Sequence, residues 1–213
     1  MKLQHGKLGG LEFALRPAAA SATTRPPLLC FLHGHEQGPP TALARGVTTH
    51  GPLMRGASKR ADAFVIVAPH LPVRGDYWHR HAEPVRDVVM EACERYEADP
   101  AQLYLTGFSY GGNGVFDIGV AGSVRWAALW AVDPTRAPRD PLTPPVWLSV
   151  GEVTRAGLPR FVRALQLEHV ARRKPGARVY LDEGDDHVGA ARRAYADSRI
   201  YDWLLGWRSH AVA

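Results

Sequence analysis

The chain has 213 residues, of which 46% are hydrophobic. This length suits one well-buried core and is short for two, so we expect one domain over residues 1–213. Lys and Arg outnumber Asp and Glu by 26 to 21, a net charge of +5. The densest basic runs, residues 172–174 and 192–193, have no interleaved aromatic side chains, which argues against nucleic-acid binding.

The sequence also argues against a membrane protein. No apolar stretch approaches the length that spans a bilayer, and no long apolar core follows Lys2. The two cysteines, Cys30 and Cys93, lie at apolar positions of predicted elements, as small buried hydrophobic residues do. We therefore expect a soluble cytoplasmic protein with no membrane partner.

The N-terminal third contains strand patterns. Alternating apolar residues after Gly9-Gly10 predict a half-buried strand that closes a hairpin over residues 11–15. The small, polar, proline-ended segment 18–27 is typical of a surface loop. Continuous apolar runs over residues 28–32 and 63–68 predict strands that are covered on both faces.

The rest of the chain alternates between helix and strand patterns. A helix opens near Pro84, and its apolar face has helical spacing. Further strands are expected over residues 103–106, 126–132, 146–150 and 178–181. Two more helices are indicated, one around Phe161, Val162, Leu165 and Val170, and a closing one that turns Tyr195, Ile200, Trp203, Leu204 and Trp207 toward the core.

This alternation predicts an α/β protein with a mostly parallel, doubly covered sheet. In such sheets the chemistry lies at the carboxyl ends of the strands. Polar residues with catalytic potential follow five of the predicted strands at that end. They are residues 33–38, Ser109, Asp133, Glu152 and His187.

Ser109 is the candidate nucleophile. It lies in Gly-Phe-Ser-Tyr-Gly-Gly, residues 107–112, between a predicted strand and a predicted helix over residues 113–121. Glycines at both second neighbours fit a nucleophile elbow, whose sharp turn leaves almost no room for side chains. The first backbone N–H groups of the helix would then lie beside the hydroxyl and stabilise an oxyanion.

His187 is the candidate general base. A serine hydroxyl becomes a good nucleophile when an imidazole takes its proton, and a carboxylate must hold that imidazole in the correct tautomer. His187 lies in a Gly- and Asp-rich loop between the last strand and the closing helix. The chain order serine, acid, histidine is the order found with the elbow.

These motifs resemble those of α/β-hydrolases, in particular the small, capless phospholipase/carboxylesterase and dienelactone-hydrolase-like esterases. The resemblance covers nearly the whole chain and rests on His33-Gly34, residues 107–112 and Asp186-His187. It implies an α/β-hydrolase fold with no sizeable cap domain. It also implies an oxyanion hole formed by the backbone N–H groups of His35 and Tyr110.

The acid is the point at which the sequence departs from this family. The family's usual aspartate position is occupied by Thr154, and a usual loop glycine is replaced by Glu36. The alternatives are Asp133 and Glu152, which end neighbouring strands. We favour Asp133, because its position resembles that of the acid in animal lipases. Two further aspartates, Asp185 and Asp186, lie too close to His187 in sequence to reach its ring.

The segment 69–80 is rich in proline and predicts a long functional loop. Its Tyr77 and Trp78 are candidates to line an acyl or alcohol pocket. Metal binding by His70, His79 and His81 is disfavoured, because an i, i+2 pair without a third fixed ligand is weak evidence for a site. We expect no cofactor.

The sequence therefore predicts a serine esterase that acts on a small-molecule ester or thioester. Two alternatives stay open at this point. The same residues would serve a peptide or amide hydrolase, and an incomplete triad would leave a catalytically weak binding scaffold.

Overall fold

The computed structural model describes residues 3–19, 25–154, 157–170 and 173–209. The predicted surface loop over 18–27 and the basic run over 172–174 therefore lie partly outside the described residues. The strands are β1 (Gln4–Leu8), β2 (Leu11–Arg16), β3 (Leu28–Leu32), β4 (Val65–His70), β5 (Leu103–Phe108), β6 (Ala128–Val132), β7 (Val146–Val150), β8 (Glu168–His169) and β9 (Arg178–Asp182). The α-helices are α1 (Leu43–Thr49), α2 (Ala82–Arg95), α3 (Tyr110–Ala121), α4 (Leu158–Leu165), α5 (His187–Ala196) and α6 (Ser198–Leu205).

The nine strands form one sheet in the order β1-β2-β4-β3-β5-β6-β7-β9-β8. The N-terminal hairpin is antiparallel and joins the edge through β2 and β4. All other neighbours pair in parallel. The prediction of a mostly parallel sheet is confirmed, and the carboxyl ends of β3, β5, β6, β7 and β9 meet at one edge.

Helices cover both faces of this sheet. Buried residues alternate along the central strands, so that Leu32 and Leu105 belong to one core and Phe31 and Tyr104 to the other. The first core includes residues of α2, α3 and α4, and the second includes residues of α1, α5 and α6. This double cover explains why the strands read as continuous apolar runs.

Several features differ from the expectation. Val170 is not on the helix around Phe161, because α4 ends at Leu165. Gln166 ends this helix by taking a left-handed conformation, and the short strand β8 that follows was not predicted. The closing helix is two helices, because Asp197 interrupts it and its side chain accepts a hydrogen bond from the backbone N–H of Arg199 as the cap of α6. Helix α1 was not expected, since its buried residues are only Gly46 and Val47. Among the described residues, no helix has the length and apolar character needed to cross a membrane.

The closest crossing in the fold is that of α3 over the ends of β3 and β5. A Cβ atom placed on Gly111 would lie 1.9 Å from the carbonyl oxygen of Leu32, and one on Gly107 would lie 2.3 Å from the carbonyl oxygen of Gly111. Both neighbours are backbone atoms and cannot swing away. The two glycines therefore set the distance between helix and sheet.

We expect Gly111→Ala to destabilise the fold by about 3 kcal/mol, the upper end for overpacking, because α3 must move off the sheet. In a domain of this size that corresponds to a Tm lower by roughly 6–12 °C in a thermal melt. Gly157→Ala is the matched control, since a Cβ there meets no atom of the described residues within 4 Å. Equal melting temperatures for the two variants would contradict this account of the crossing.

Candidate active site

Ser109 occupies the turn between β5 and α3. Its φ and ψ are 57° and −113°, a conformation that residues other than glycine rarely adopt. Its backbone N–H donates to the carbonyl of Val132 at the tip of the neighbouring strand β6, 2.9 Å away. The turn therefore holds the serine at the carboxyl edge of the sheet, where 9% of the residue's surface is exposed.

His187, the first residue of α5, contacts Ser109 with one ring nitrogen and a carboxylate with the other. Its Nε2 lies 2.8 Å from Ser109 Oγ. Its Nδ1 contacts Asp133 Oδ2. An ionised carboxylate only accepts hydrogen bonds, so the Nδ1 nitrogen carries the proton and Nε2 is left to accept the hydroxyl proton of the serine. The ring is thus in the tautomer that general-base chemistry needs.

Asp133 follows the last residue of β6 and is fully buried. Its φ of 43° turns the side chain toward the tip of β7. There Oδ1 accepts from the backbone N–H of Gly151 at 3.0 Å, and Oδ2 accepts from the hydroxyl of Thr154 at 3.3 Å. A buried carboxylate must be hydrogen-bonded to be tolerated, and these donors also fix its direction toward His187.

The other carboxylates that the sequence offered lie elsewhere. Glu152 is exposed on the loop after β7 and has no ion pair or hydrogen bond among the described residues. Asp186 caps α5, where its Oδ1 accepts from the N–H of Gly189 at 2.7 Å. Asp185 pairs with Arg193 of the same helix. Asp133 is thus the member of this set that contacts His187.

The loop after β3 lies against the serine. A Cβ added to Gly34 would lie 3.3 Å from Ser109 Cβ, a tight contact, so the loop approaches the serine closely at this glycine. The next residue, His35, starts a short 3₁₀ turn (His35–Gln37), and Tyr110 starts α3. Within the described part of the chain, neither His35 N–H nor Tyr110 N–H has an acceptor. Both are therefore open to an oxygen bound beside Ser109.

The side chain of His35 has no part in this arrangement. Its Nδ1 bonds to Glu36 at the surface, 2.9 Å from Oε1, and its ring meets the ring of Tyr110 edge-on. Glu36 in turn pairs with Arg74. Glu36 stands where the sequence pattern favours glycine. It is accommodated because its side chain is exposed to solvent and does not contact Ser109.

A network of buried polar side chains also holds the loop after β3 in place. Burial lowers the pKa of His33 to about 3, so its ring is neutral. Its Nδ1–H donates to the carbonyl of Gly34 at 2.7 Å, and its Nε2 accepts from the N–H of Leu71 at 3.1 Å. The indole N–H of Trp78 donates to the carbonyl of His33 at 3.1 Å, and His70 Nε2–H donates to that of Gln37 at 3.0 Å.

Sequence reasoning missed this network. The sequence predicts that Trp78 lines a substrate pocket, and Trp78 does border a pocket at the site, although only 1% of its surface is exposed. Its indole N–H bond to the loop after β3 was not foreseen. The sequence analysis considers His70 only as a possible metal ligand. The available signal was the length of the apolar run before His70, which places this histidine on a buried strand, where its ring needs a polar partner.

The three histidines considered as metal ligands are separated from one another by their partners. His70 binds the carbonyl of Gln37, whereas His81 pairs with Asp76 at 2.7 Å. His79 is half exposed, 3.9 Å from Asp117. In the described ranges, no group of three His, Cys, Asp or Glu side chains is arranged to hold a metal ion.

A pocket of about 230 Å³ is lined in part by Tyr110, the residue after Ser109. Tyr77, which is 47% exposed, forms one wall together with Tyr110, and their ring centres are 5.8 Å apart. The rest of the lining, the second wall, comes from Trp78, α3 and the loop after β6. Its residues are Trp78, Asn113, Gly114, Asp117, Thr135, Arg136 and Arg139.

Comparison with known proteins gives no match to a family model and no match to a curated protein. Solved structures do match. A thermostable esterase superposes on 97% of this chain with a TM-score of 0.67 and 18% identity. The feruloyl esterase module from Clostridium thermocellum, a mutant solved with sinapinate, covers 94% with a TM-score of 0.63 and 11% identity. An alpha-beta serine hydrolase homologue from Coxiella burnetii covers 96% with a TM-score of 0.61 and 15% identity.

The lengths of these proteins differ. The chain spans 63% of the thermostable esterase, 86% of the feruloyl esterase module and 96% of the Coxiella burnetii protein. Likenesses at such low identity concern the fold alone. Over its described residues, which include no cap domain, the chain has the α/β-hydrolase fold.

Proposed function

We propose that this protein is a serine hydrolase that acts on small carboxylic esters or thioesters through an acyl-enzyme on Ser109. The observation that carries the proposal is the placement of His187, whose two ring nitrogens contact Ser109 and the buried carboxylate of Asp133. A nucleophile, a base and an acid in hydrogen-bond contact are the arrangement that activates a serine hydroxyl.

In the acylation half of the reaction, His187 Nε2 takes the proton of Ser109 as Oγ bonds to the carbonyl carbon. Asp133 stabilises the imidazolium that forms. The carbonyl oxygen becomes an oxyanion, which the free N–H groups of His35 and Tyr110 would stabilise by hydrogen bonds. The imidazolium then gives its proton to the leaving alcohol or thiol as the bond between carbonyl carbon and leaving group breaks.

Deacylation reverses these roles with water. His187 takes a proton from a water molecule whose oxygen bonds to the acyl carbon. The bond from that carbon to Ser109 Oγ breaks, and the imidazolium returns the proton to the serine. The products are the free acid and the alcohol, and the chain is restored without a metal or an organic cofactor.

The matching structures support ester chemistry, since they include a thermostable esterase, a feruloyl esterase module and an arylesterase. We infer a small-molecule ester as the substrate of this chain. Cys30 and Cys93 are free and buried, which agrees with the proposed location in the reducing cytoplasm.

The first test is covalent labelling. We expect a fluorophosphonate probe to label the wild-type protein at Ser109, because His187 increases the nucleophilicity of that hydroxyl. Mass spectrometry of the labelled peptide identifies the site, and Ser109→Ala is the control that should take no label. A wild-type protein that stays unlabelled beside a labelled reference esterase would favour the inactive scaffold over the enzyme.

The acid is tested by two amide variants. We expect Asp133→Asn to lower kcat by about 10⁴-fold, because the amide no longer holds His187 in the required tautomer. Glu152→Gln is the matched control and should keep kcat within about twofold, the range of a surface substitution. Circular dichroism and a thermal melt check that both variants fold. The reverse ranking would assign the acid to Glu152.

Ser109 and His187 should act as one unit. We expect Ser109→Ala and His187→Ala each to reduce kcat to background, and the double variant to be scarcely slower than either single one. Hydrolysis of p-nitrophenyl acetate measures all three. Losses that multiply in the double variant would show that one of the two residues acts independently.

The acyl preference follows from the open edge of the sheet, since the described residues include no cap over Ser109. We expect acetate and butyrate esters of p-nitrophenol to be hydrolysed with higher kcat/KM than the decanoate and longer esters. A clear preference for the long acyl chains would contradict an open site for small esters. Activity on p-nitroanilides that exceeds activity on these esters would favour an amide hydrolase.

A further inference from the structure

The pocket beside Tyr110 is positioned to receive one end of the substrate. Tyr110 follows Ser109 directly and its backbone N–H faces the proposed oxyanion, while its ring lines the pocket. An ester bound with its carbonyl at Ser109 Oγ therefore extends one of its two halves into this space. At about 230 Å³ the pocket is smaller than typical ligand sites, so it admits a single compact group.

The two walls of the pocket differ in chemistry. The first consists of the rings of Tyr77 and Tyr110, which are inclined by 31° and leave nearly half of Tyr77 exposed. Exposed tyrosine rings offer a flat surface for stacking at little cost in side-chain entropy. The second wall combines Trp78 and Gly114 with polar and charged side chains.

Most polar groups of the second wall are already paired. Asn113 Oδ1 accepts from the N–H groups of Thr135 and Arg136, and its Nδ2 donates to Thr135 Oγ1. Asp117 receives Arg136 Nη2 on both oxygens at 2.6 Å. Its negative charge is thus matched within the wall and is not left to bind a cationic substrate.

Arg139 is the exception. It lines the pocket, it is exposed, and the described residues give it no ion pair or hydrogen bond. With Asp117 neutralised by Arg136, the pocket carries one positive charge without a partner. A guanidinium in this position is suited to a planar anionic group, to which it can donate two parallel hydrogen bonds.

On the basis of the proposed ester hydrolysis, we propose that this pocket selects esters in which one half is an aromatic ring bearing a carboxylate. The ring stacks on Tyr77 and Tyr110, and Arg139 pairs with the carboxylate. Arg139 is then a specificity-determining residue for the reaction at Ser109, and it distinguishes charged from neutral aromatic esters.

The test compares acidic esters with neutral carboxamide analogues of the same shape. One pair, 4-carboxyphenyl acetate and 4-carbamoylphenyl acetate, carries the group on the alcohol half. The other, methyl 4-carboxybenzoate and methyl 4-carbamoylbenzoate, carries it on the acyl half. We expect Arg139→Gln to lower the acid-to-amide ratio of kcat/KM by about tenfold in one pair, mainly through KM, and by less at high salt.

Arg125→Gln is the matched control. Arg125 is also exposed and also lacks an ion pair among the described residues, but it precedes β6, whereas Arg139 follows it, so it lies at the opposite edge of the sheet. Both variants remove one positive charge from the chain. Because steering by the net charge would affect both equally, an unchanged ratio in Arg125→Gln supports a local contact at Arg139.

Two results would overturn the assignment. In the first, Arg139→Gln leaves the acid-to-amide ratio of both pairs unchanged. In the second, Arg125→Gln changes the ratio as much as Arg139→Gln does. Hydrolysis of p-nitrophenyl acetate separates this failure from failure of the proposed function: if the wild type hydrolyses it, only the pocket assignment falls, and if it does not, both proposals fall.

Discussion

The close contact between α3 and the carbonyl groups at the end of β3 is the constraint on which the candidate site depends. Gly111 lies so near to Leu32 that any side chain would separate helix from sheet. This contact brings the turn at Ser109 next to the loop after β3, where Gly34 provides the second close approach. The serine and the two free N–H groups are therefore positioned by backbone packing, which is more rigid than side-chain packing alone.

The loop after β3 is held from the opposite side by groups that the proposed reaction does not use. His33, His70 and Trp78 each bond to a backbone group of this loop or of the segment beside it. Since these side chains are buried, breaking one bond would leave an unpaired polar group in the core. The network thus opposes movement of the loop. This role explains why buried polar side chains are found at the carboxyl end of an otherwise apolar sheet.

The two ends of the site differ in their electrostatics. Next to His187 the charged group is buried, because the carboxylate of Asp133 accepts hydrogen bonds from the N–H of Gly151 and the hydroxyl of Thr154. In the pocket beside Tyr110 the charged group is exposed, because the guanidinium of Arg139 lines the pocket together with the rings of Tyr77 and Tyr110. The first arrangement suits a proton transfer that is the same for every ester, and the second suits discrimination among esters, which on this fold resides in the loops.

The sequence by itself determined the apolar strands, the serine turn and the histidine loop, because continuous apolar runs, paired glycines and the order of elements are local properties. The short exposed strand β8 has no apolar run and was missed. The sequence favoured Asp133 over Glu152 as the acid, but only on a resemblance to animal lipases, since both carboxylates follow adjacent strands. The tertiary structure placed Asp133 against His187 because its backbone takes a positive φ and the tip of β7 supplies donors to its carboxylate. It likewise decided that Trp78 is buried and that Arg139 faces the pocket, because side-chain burial depends on contacts between segments distant in sequence.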